Sequence, residues 1–223
     1  MVNKENYHQL INELDGKATL VAVSKFKTAE DIMELYQLGQ RDFGENYVQE
    51  LMEKQLLLPK DIRWHFIGHL QSNKIKFIAP FIQLVESIDS LKLLGELQKQ
   101  AKKANRVISC LLQVHIASEE TKFGLDENEL QELIAAVVNG GEEEWRQISI
   151  TGLMGMASFS DDERQVRTEF RKLKTLYDTY SGSSSGSIHF STLSMGMSGD
   201  YSLAVEEGST EVRVGSLLFG KRS

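Results

Sequence analysis

Apolar, β-branched runs recur along the chain at 18–25 (ATLVAVSK), 41–46 (RDFGEN), 62–68 (IRWHFIG), 82–89 (IQLVESID), 107–117 (VISCLLQVHIA), 149–156 (SITGLMGM), 188–196 (IHFSTLSMG) and 211–220 (EVRVGSLLFG). Several are apolar almost throughout, which suits parallel strands covered on both faces better than antiparallel strands with one wet face. Amphipathic segments separate them. In AEDIMELYQLG, Ile32, Leu35 and Tyr36 fall on one helical face and Gly39 stops the helix. SLKLLGELQKQAKKAN opens with Ser90 as an N-cap, and DDERQVRTEFRKLKTLYDTY carries acids in its first turn. Strand alternating with helix eight times predicts an α/β fold, a single (β/α)8 TIM-type barrel, with an extra N-terminal helix near YHQLINEL. An open doubly wound sheet is the second choice.

A chain of 223 residues fits one such domain, 1–223. The one low-complexity stretch, SGSSSGS at 181–187, reads as a surface loop, too short for a domain linker. A net charge of −7 argues against a nucleic-acid or anionic-membrane surface, and the basic run Lys99–Arg106 reads as the solvated face and last turn of a helix. The lone Cys110 sits in an apolar run and reads as a small buried hydrophobe. No stretch reaches about 18 apolar residues, and no N-terminal segment has the form of a signal peptide. A cytoplasmic protein is expected.

Barrels keep their chemistry at the C-terminal ends of the strands. Lys25 stands where the first strand hands over to a helix. TLSMGMSGD and RVGSLLFG place small residues, hydroxyls and backbone amides after strands seven and eight, where barrels commonly hold a phosphate. Strand eight closes against strand one, so a lysine and a phosphate share one mouth. Two ligands suit that pairing: a sugar phosphate that forms an imine, or pyridoxal 5′-phosphate (PLP).

Across about 20–220, VAVSK, FGENYVQE, WHFIGHLQSNK, SIDS, GLM, LSMGMSGD and VRVGSLLFG resemble the pyridoxal phosphate homeostasis proteins, barrels similar to the N-terminal domain of alanine racemase. The resemblance implies that Lys25 holds PLP as an internal aldimine. It also implies that Ser194, with Ser198 as a further candidate, and Gly215 and Ser216 lie near the phosphate. By the same likeness Arg213 faces the pyridine nitrogen and Asn46 lies near the ring. Lys27, just beyond, reads as solvated. The sequence departs from the family's usual pattern at Thr28, His115, Ser118 and Ser158.

A permanently charged arginine at the pyridine nitrogen makes a poorer electron sink than the acid most PLP enzymes place there. The chain ends soon after strand eight, so the racemase's second domain is not expected, nor its opposed proton-transfer group. The expected function is PLP binding in vitamin B6 and amino-acid homeostasis without turnover, with PLP-requiring apoenzymes as possible partners and a monomeric state. The alternative is a barrel enzyme with weak racemase, transaminase or aldolase activity, served by Tyr47, His69, His115 and Lys122. His65 and His69 form HxxxH, but on a strand that spacing puts them about 13 Å apart, so no metal site is expected. GEEEW (141–145) reads as a solvated turn, and Met195 and Met197 as packing residues.

Overall fold

A computed structural model describes residues 2–118, 123–182 and 186–220. Among them, eight parallel strands close in chain order into one barrel: β1 (Thr19–Val23), β2 (Asp42–Glu45), β3 (Arg63–Phe66), β4 (Leu84–Ile88), β5 (Ile108–Val114), β6 (Ile148–Gly155), β7 (Ile188–Met197) and β8 (Glu211–Val214). The seam is β1 against β8, with Leu20 opposite Val212 and Val21 opposite Arg213. The helices are α1 (Lys4–Leu14), α2 (Ala29–Gln37), α3 (Val48–Leu57), α4 (Ile75–Ile78), α5 (Leu91–Lys103), α6 (Glu127–Trp145), α7 (Glu163–Ser181), α8 (Tyr201–Glu206) and α9 (Ser216–Phe219). The closed barrel and the additional first helix agree with the sequence pattern.

Local chemistry starts these helices where the sequence places polar caps. Thr28 accepts from Asp31 N at the head of α2, and Ser90 accepts from Leu93 N at the head of α5. Asp126 and Glu129 form a reciprocal capping box that opens α6.

Three local expectations differ. The run 211–220 is not one strand: β8 ends at Val214, and after Gly215 the chain turns into α9. GEEEW is no free turn but the end of α6, which kinks at Gly141 (φ 74°) and then resumes to bury Trp145. The basic run is solvated only in part, because Arg106 donates to the carbonyls of Ala79 and Ile82 at 2.8 and 2.9 Å.

Two apolar layers hold the barrel. The outer one lies between sheet and helices and contains Ile32, Phe43, Phe66 and Phe170, all fully buried. The inner one is small: Leu84, Leu111 and Met154, with Met156 packed against them. Polar residues make up much of the remaining interior: Asp42, His65, Glu86, Ser194, Glu211 and Arg213 are all buried there. At Gly152 (φ +153°) β6 presses so closely on β7 that a Cβ would lie 1.7 Å from the Thr192 carbonyl oxygen, so only glycine fits. Among the described residues no helix is long and apolar enough to cross a membrane.

Candidate functional site

The barrel gathers the candidate residues at the C-terminal ends of β1, β2, β7 and β8. Lys25 follows β1 by two residues and is half-buried. The Ser24 amide donates to the Gly44 carbonyl at 3.0 Å, extending the β1–β2 pairing to the residue before Lys25. The next residue, Phe26, has φ 63°, a left-handed conformation that is rare for a non-glycine residue. Lys27 is not simply solvated. Its ammonium donates to the Phe219 carbonyl at 3.0 Å and ties the loop after β1 to the end of α9.

Across the seam, the Gly215 amide donates to Ser198 Oγ at 3.2 Å, joining the turns after β7 and β8. The β7 turn is closed by Asp200, which accepts from Met197 N at 2.5 Å. A Cβ on Gly215 would lie 3.3 Å from the Cβ and carbonyl oxygen of Val23, so this rim is pressed against the end of β1. The first amides of α9 have no intrahelical acceptor. Small residues, a hydroxyl and backbone donors therefore lie two residues from Lys25. The exposed Ser216 side chain lines a groove of about 790 Å³ against Val2 and Asn3 at the start of α1, outside the barrel mouth.

Asn46 stands at the end of β2. Its Oδ1 is buried and has no hydrogen-bond partner among the described residues, an unsatisfied acceptor at this strand end. Gly68 packs over its backbone so tightly that a Cβ would lie 2.5 Å from the Asn46 carbonyl oxygen.

Below the rim runs a buried polar column that the sequence reading did not single out. Arg213 on β8 lies 3.5 Å from Glu86 on β4, and these strands are opposite in the barrel, so the contact passes through its interior. Arg213 also donates to Ser194 Oγ and, at 2.9 Å, to the Gly155 carbonyl. Ser194 Oγ donates to Glu86 Oε2 at 2.7 Å. Glu86 Oε1 meets His65 Nδ1 at 3.0 Å, and His65 Nε2 meets Asp42 Oδ1 at 3.2 Å. Asp42 is held in turn by two bonds from Arg63, at 2.6 and 2.5 Å.

Ser194 is thus committed to Arg213 and Glu86 inside the barrel, and its hydroxyl does not join the anion rim. The reason is position along β7: Ser194 lies within the strand, in register with buried Glu211, whereas Ser198 lies in the turn beyond the strand, past a register shift. The sequence signal for the column was available in polar residues interrupting apolar strands: His65 in RWHF, Glu86 in LVESI, Glu211 in EVRV.

Charge sharing sets the protonation of this column. Burial alone would push the His65 imidazolium down, but its hydrogen bonds to Asp42 and Glu86 and the charge of Glu211 outweigh that and raise it to about 10. Burial opposes the Glu86 carboxylate, yet His65 and Arg213 hold its pKa below the ordinary value. Glu211 is pushed up to about 8 by burial and by the neighbouring Glu86 charge, and so keeps its proton at neutral pH. His65, Glu86 and Glu211 place one ligand atom each within 4.8 Å of one another. In this structure the His65 ring is engaged by Asp42 and Glu86, and Arg213 already lies beside Glu86 as a cation.

Other sequence candidates disperse. Tyr47 packs on Phe26 with the rings tilted by 45° and their centres 5.1 Å apart. His69 stacks on Phe123 at 4.5 Å and has Asp89 at 3.5 Å, well apart from buried His65. His115 is half-buried, its amide bonded to the Leu125 carbonyl. Lys122 lies outside the described residues. The departures Ser118 and Ser158 account for each other: the Ser118 amide donates to Ser158 Oγ at 3.1 Å, and Ser158 Oγ donates to Glu169 at 2.8 Å.

A barrel of eight parallel strands with a rim lysine beside small-residue turns, and an inward arginine beneath them, defines a class of cofactor-type barrels. A family model, the N-terminal domain of alanine racemase, matches residues 3–223. The pyridoxal phosphate homeostasis protein of Aquifex aeolicus is 39% identical over 206 residues, covering 92% of this chain and 87% of that protein. The chain belongs to the alanine racemase N-terminal domain family, in its branch of pyridoxal phosphate homeostasis proteins. PipY of Synechococcus elongatus, solved with PLP bound, superposes with a TM-score of 0.87 at 34% identity, covering 97% of this chain and 99% of that one. The alanine racemase of Bartonella henselae shares the fold (TM-score 0.70, 19% identity), and the chain spans 56% of its length.

Proposed function

We propose that this protein binds pyridoxal 5′-phosphate through Lys25 and serves PLP and amino-acid homeostasis as a carrier, without catalytic turnover. The observation that carries the reading is the Ser198–Gly215 contact at the β1–β8 seam, with Gly215 packed against Val23, two residues before Lys25. The residues fit the group: the unpartnered Asn46 Oδ1 offers an acceptor at the mouth, and backbone amides and hydroxyls suit a phosphate. The 34%-identical PipY, solved with PLP bound, supports it.

Bound there, the cofactor would supply an aldehyde carbon that condenses with a neutral amine, releasing water. Lys25 supplies that amine. Gly215, Ser198 and the backbone amide of Ser216 at the start of α9, rather than its outward side chain, would hold the phosphate. Asn46 would lie at the ring edge, and Arg213 would stand toward the ring nitrogen. Arg213 keeps its own protons there, because a guanidinium does not give them up near neutral pH. Ser194 acts from beneath, holding Arg213 against Glu86. With its charge fixed on one side, Arg213 neutralises the site without protonating it, which disfavours carbanion chemistry.

The protein acts in the cytoplasm as a monomer that releases the cofactor to PLP-requiring apoenzymes. Gel filtration with light scattering tests the monomer, and a stable dimer would refute it. The central test is borohydride reduction after PLP loading and desalting, followed by peptide mapping. A pyridoxyl group on Lys25, absent in Lys25→Ala, is expected; scattered labelling of surface lysines would sink the reading. Exchange of amino-acid α-protons that depends on Lys25 would replace the carrier with an enzyme.

A further inference from the structure

An ammonium taken out of water needs all of its donors satisfied. Lys54 on α3 is 6% exposed. Its ammonium donates to the Ser24 carbonyl at 2.7 Å, to Glu45 Oε1 at 2.7 Å and to Glu50 Oε1 at 2.6 Å. Three donors meet three acceptors. Ser24 Oγ donates to the same Glu45 oxygen at 2.6 Å, and the Phe26 amide donates to the same Glu50 oxygen at 2.5 Å.

These bonds converge on the two neighbours of Lys25. Ser24 is held through its carbonyl and hydroxyl, and Phe26 through its amide. None of the five uses the Lys25 side chain. Phe26 is also the residue with φ 63°, a conformation of the kind that persists only where its surroundings enforce it. The enforcement comes from three elements at once: the loop after β1, the last residue of β2 and the first two turns of α3.

We propose that Lys54 is a positioning residue for Lys25: with Glu45 and Glu50 it clamps the backbone on both sides of that lysine, so that its amine meets the cofactor aldehyde from one fixed direction. The proposal rests on Lys25 being the cofactor lysine. Lys54 touches neither cofactor nor substrate. It acts through the peptide groups on either side of Lys25.

The test compares Lys54→Met, Lys54→Arg and wild type. Thermal melts establish folding, hydrogen exchange follows the Phe26 amide without cofactor, and timed borohydride trapping follows PLP addition. In folded Lys54→Met the Phe26 amide should lose at least tenfold in protection, and labelling of Lys25 should slow at least tenfold. Lys54→Arg, which keeps the charge, should restore part of both. Should Lys54→Met fail to fold, Glu50→Gln gives the same comparison, since it keeps an acceptor for Phe26 and removes only the charge opposite Lys54. Wild-type rates of Lys25 labelling in either folded variant would overturn the clamp. Absence of Lys25 labelling in wild type, with the Phe26 amide still protected, would instead strike the cofactor reading, and the positioning role would fall with it.

Discussion

Glu86 is the carboxylate on which the barrel interior turns, and its neutral isostere tests that directly. Glu86 is fully buried, with His65 Nδ1 3.0 Å from one oxygen and Arg213 3.5 Å from the other. At an effective dielectric constant near 20, each cation is attracted by about 5 kcal/mol. Desolvation of the ions takes several kcal/mol back. Glu86→Gln keeps the shape but leaves two buried cations short of a countercharge, and breaking such a contact costs about 3–5 kcal/mol. Glu211 softens the loss. The Glu86 charge helps hold its proton, so without that charge Glu211 ionises more readily and returns some negative charge.

The expected cost is therefore near the lower end, about 3 kcal/mol. For a chain of this size that corresponds to a fall in Tm of about 6–12 °C at pH 7. Calorimetry and urea unfolding of wild type and variant measure it. A double-mutant cycle with Arg213→Met should show a coupling of at least about 1 kcal/mol, because removing both charges leaves fewer unpaired ions than removing Glu86 alone. A loss below about 1 kcal/mol with zero coupling would refute the account of a charge-balanced column.

Three other outcomes follow from named contacts. His65 ordinarily titrates at 6.5 and in the fold near 10, so its contribution is complete below pH 6.5 and is lost as pH rises through about 10; Glu211, moved from 4.5 to about 8, acts in the same direction, and urea midpoints should fall from pH 6.5 to 9.5, whereas a flat profile would contradict the shared protons. Gly68→Ala drives a Cβ against the Asn46 backbone, so it should cost about 1–3 kcal/mol in urea unfolding and slow Lys25 labelling; unchanged stability and labelling would show that the loop yields freely. Burial pushes the Cys110 thiol up to about 12, so native protein should resist a disulfide reagent and react only on unfolding; rapid stoichiometric labelling of native protein would contradict its place in the core.

The barrel was legible because its strands advertise themselves. LVAV and SCLLQV are apolar on both faces, as a covered parallel strand must be, and polar caps such as Thr28 and Ser90 mark where helices begin. The place of Lys25 just past a strand end was legible for the converse reason, as a charge at the edge of an apolar run. What escaped depends on partners far away in sequence. Ser194 looks like part of a small-residue turn until its hydroxyl is found between Arg213 and Glu86, the latter 108 positions away. Lys54 on α3 has the periodicity of any solvated helix lysine, and only tertiary packing buries it. Gly215 ended β8 early because its conformation, φ −121° and ψ −66°, is not that of a strand, although the run SLLF beyond it is as apolar as a strand.

Arg213 links the polar interior to the mouth. An arginine in an apolar barrel would be expelled or left costly; here Ser194, Glu86 and the Gly155 carbonyl engage two of its nitrogens from within. That arrangement fixes the guanidinium plane. Such a column is a poor way to stabilise a core, since apolar side chains of similar volume commonly match or exceed a buried ion network. Its persistence in an otherwise apolar fold makes sense if a charge must be presented, immobile and undiminished, at the strand ends. The clamp around Lys25 obeys the same logic with the signs exchanged, for there two carboxylates and a lysine fix the backbone on both sides of Lys25. Both devices trade packing for placement, which is the pattern expected when a local rule is broken at a functional site.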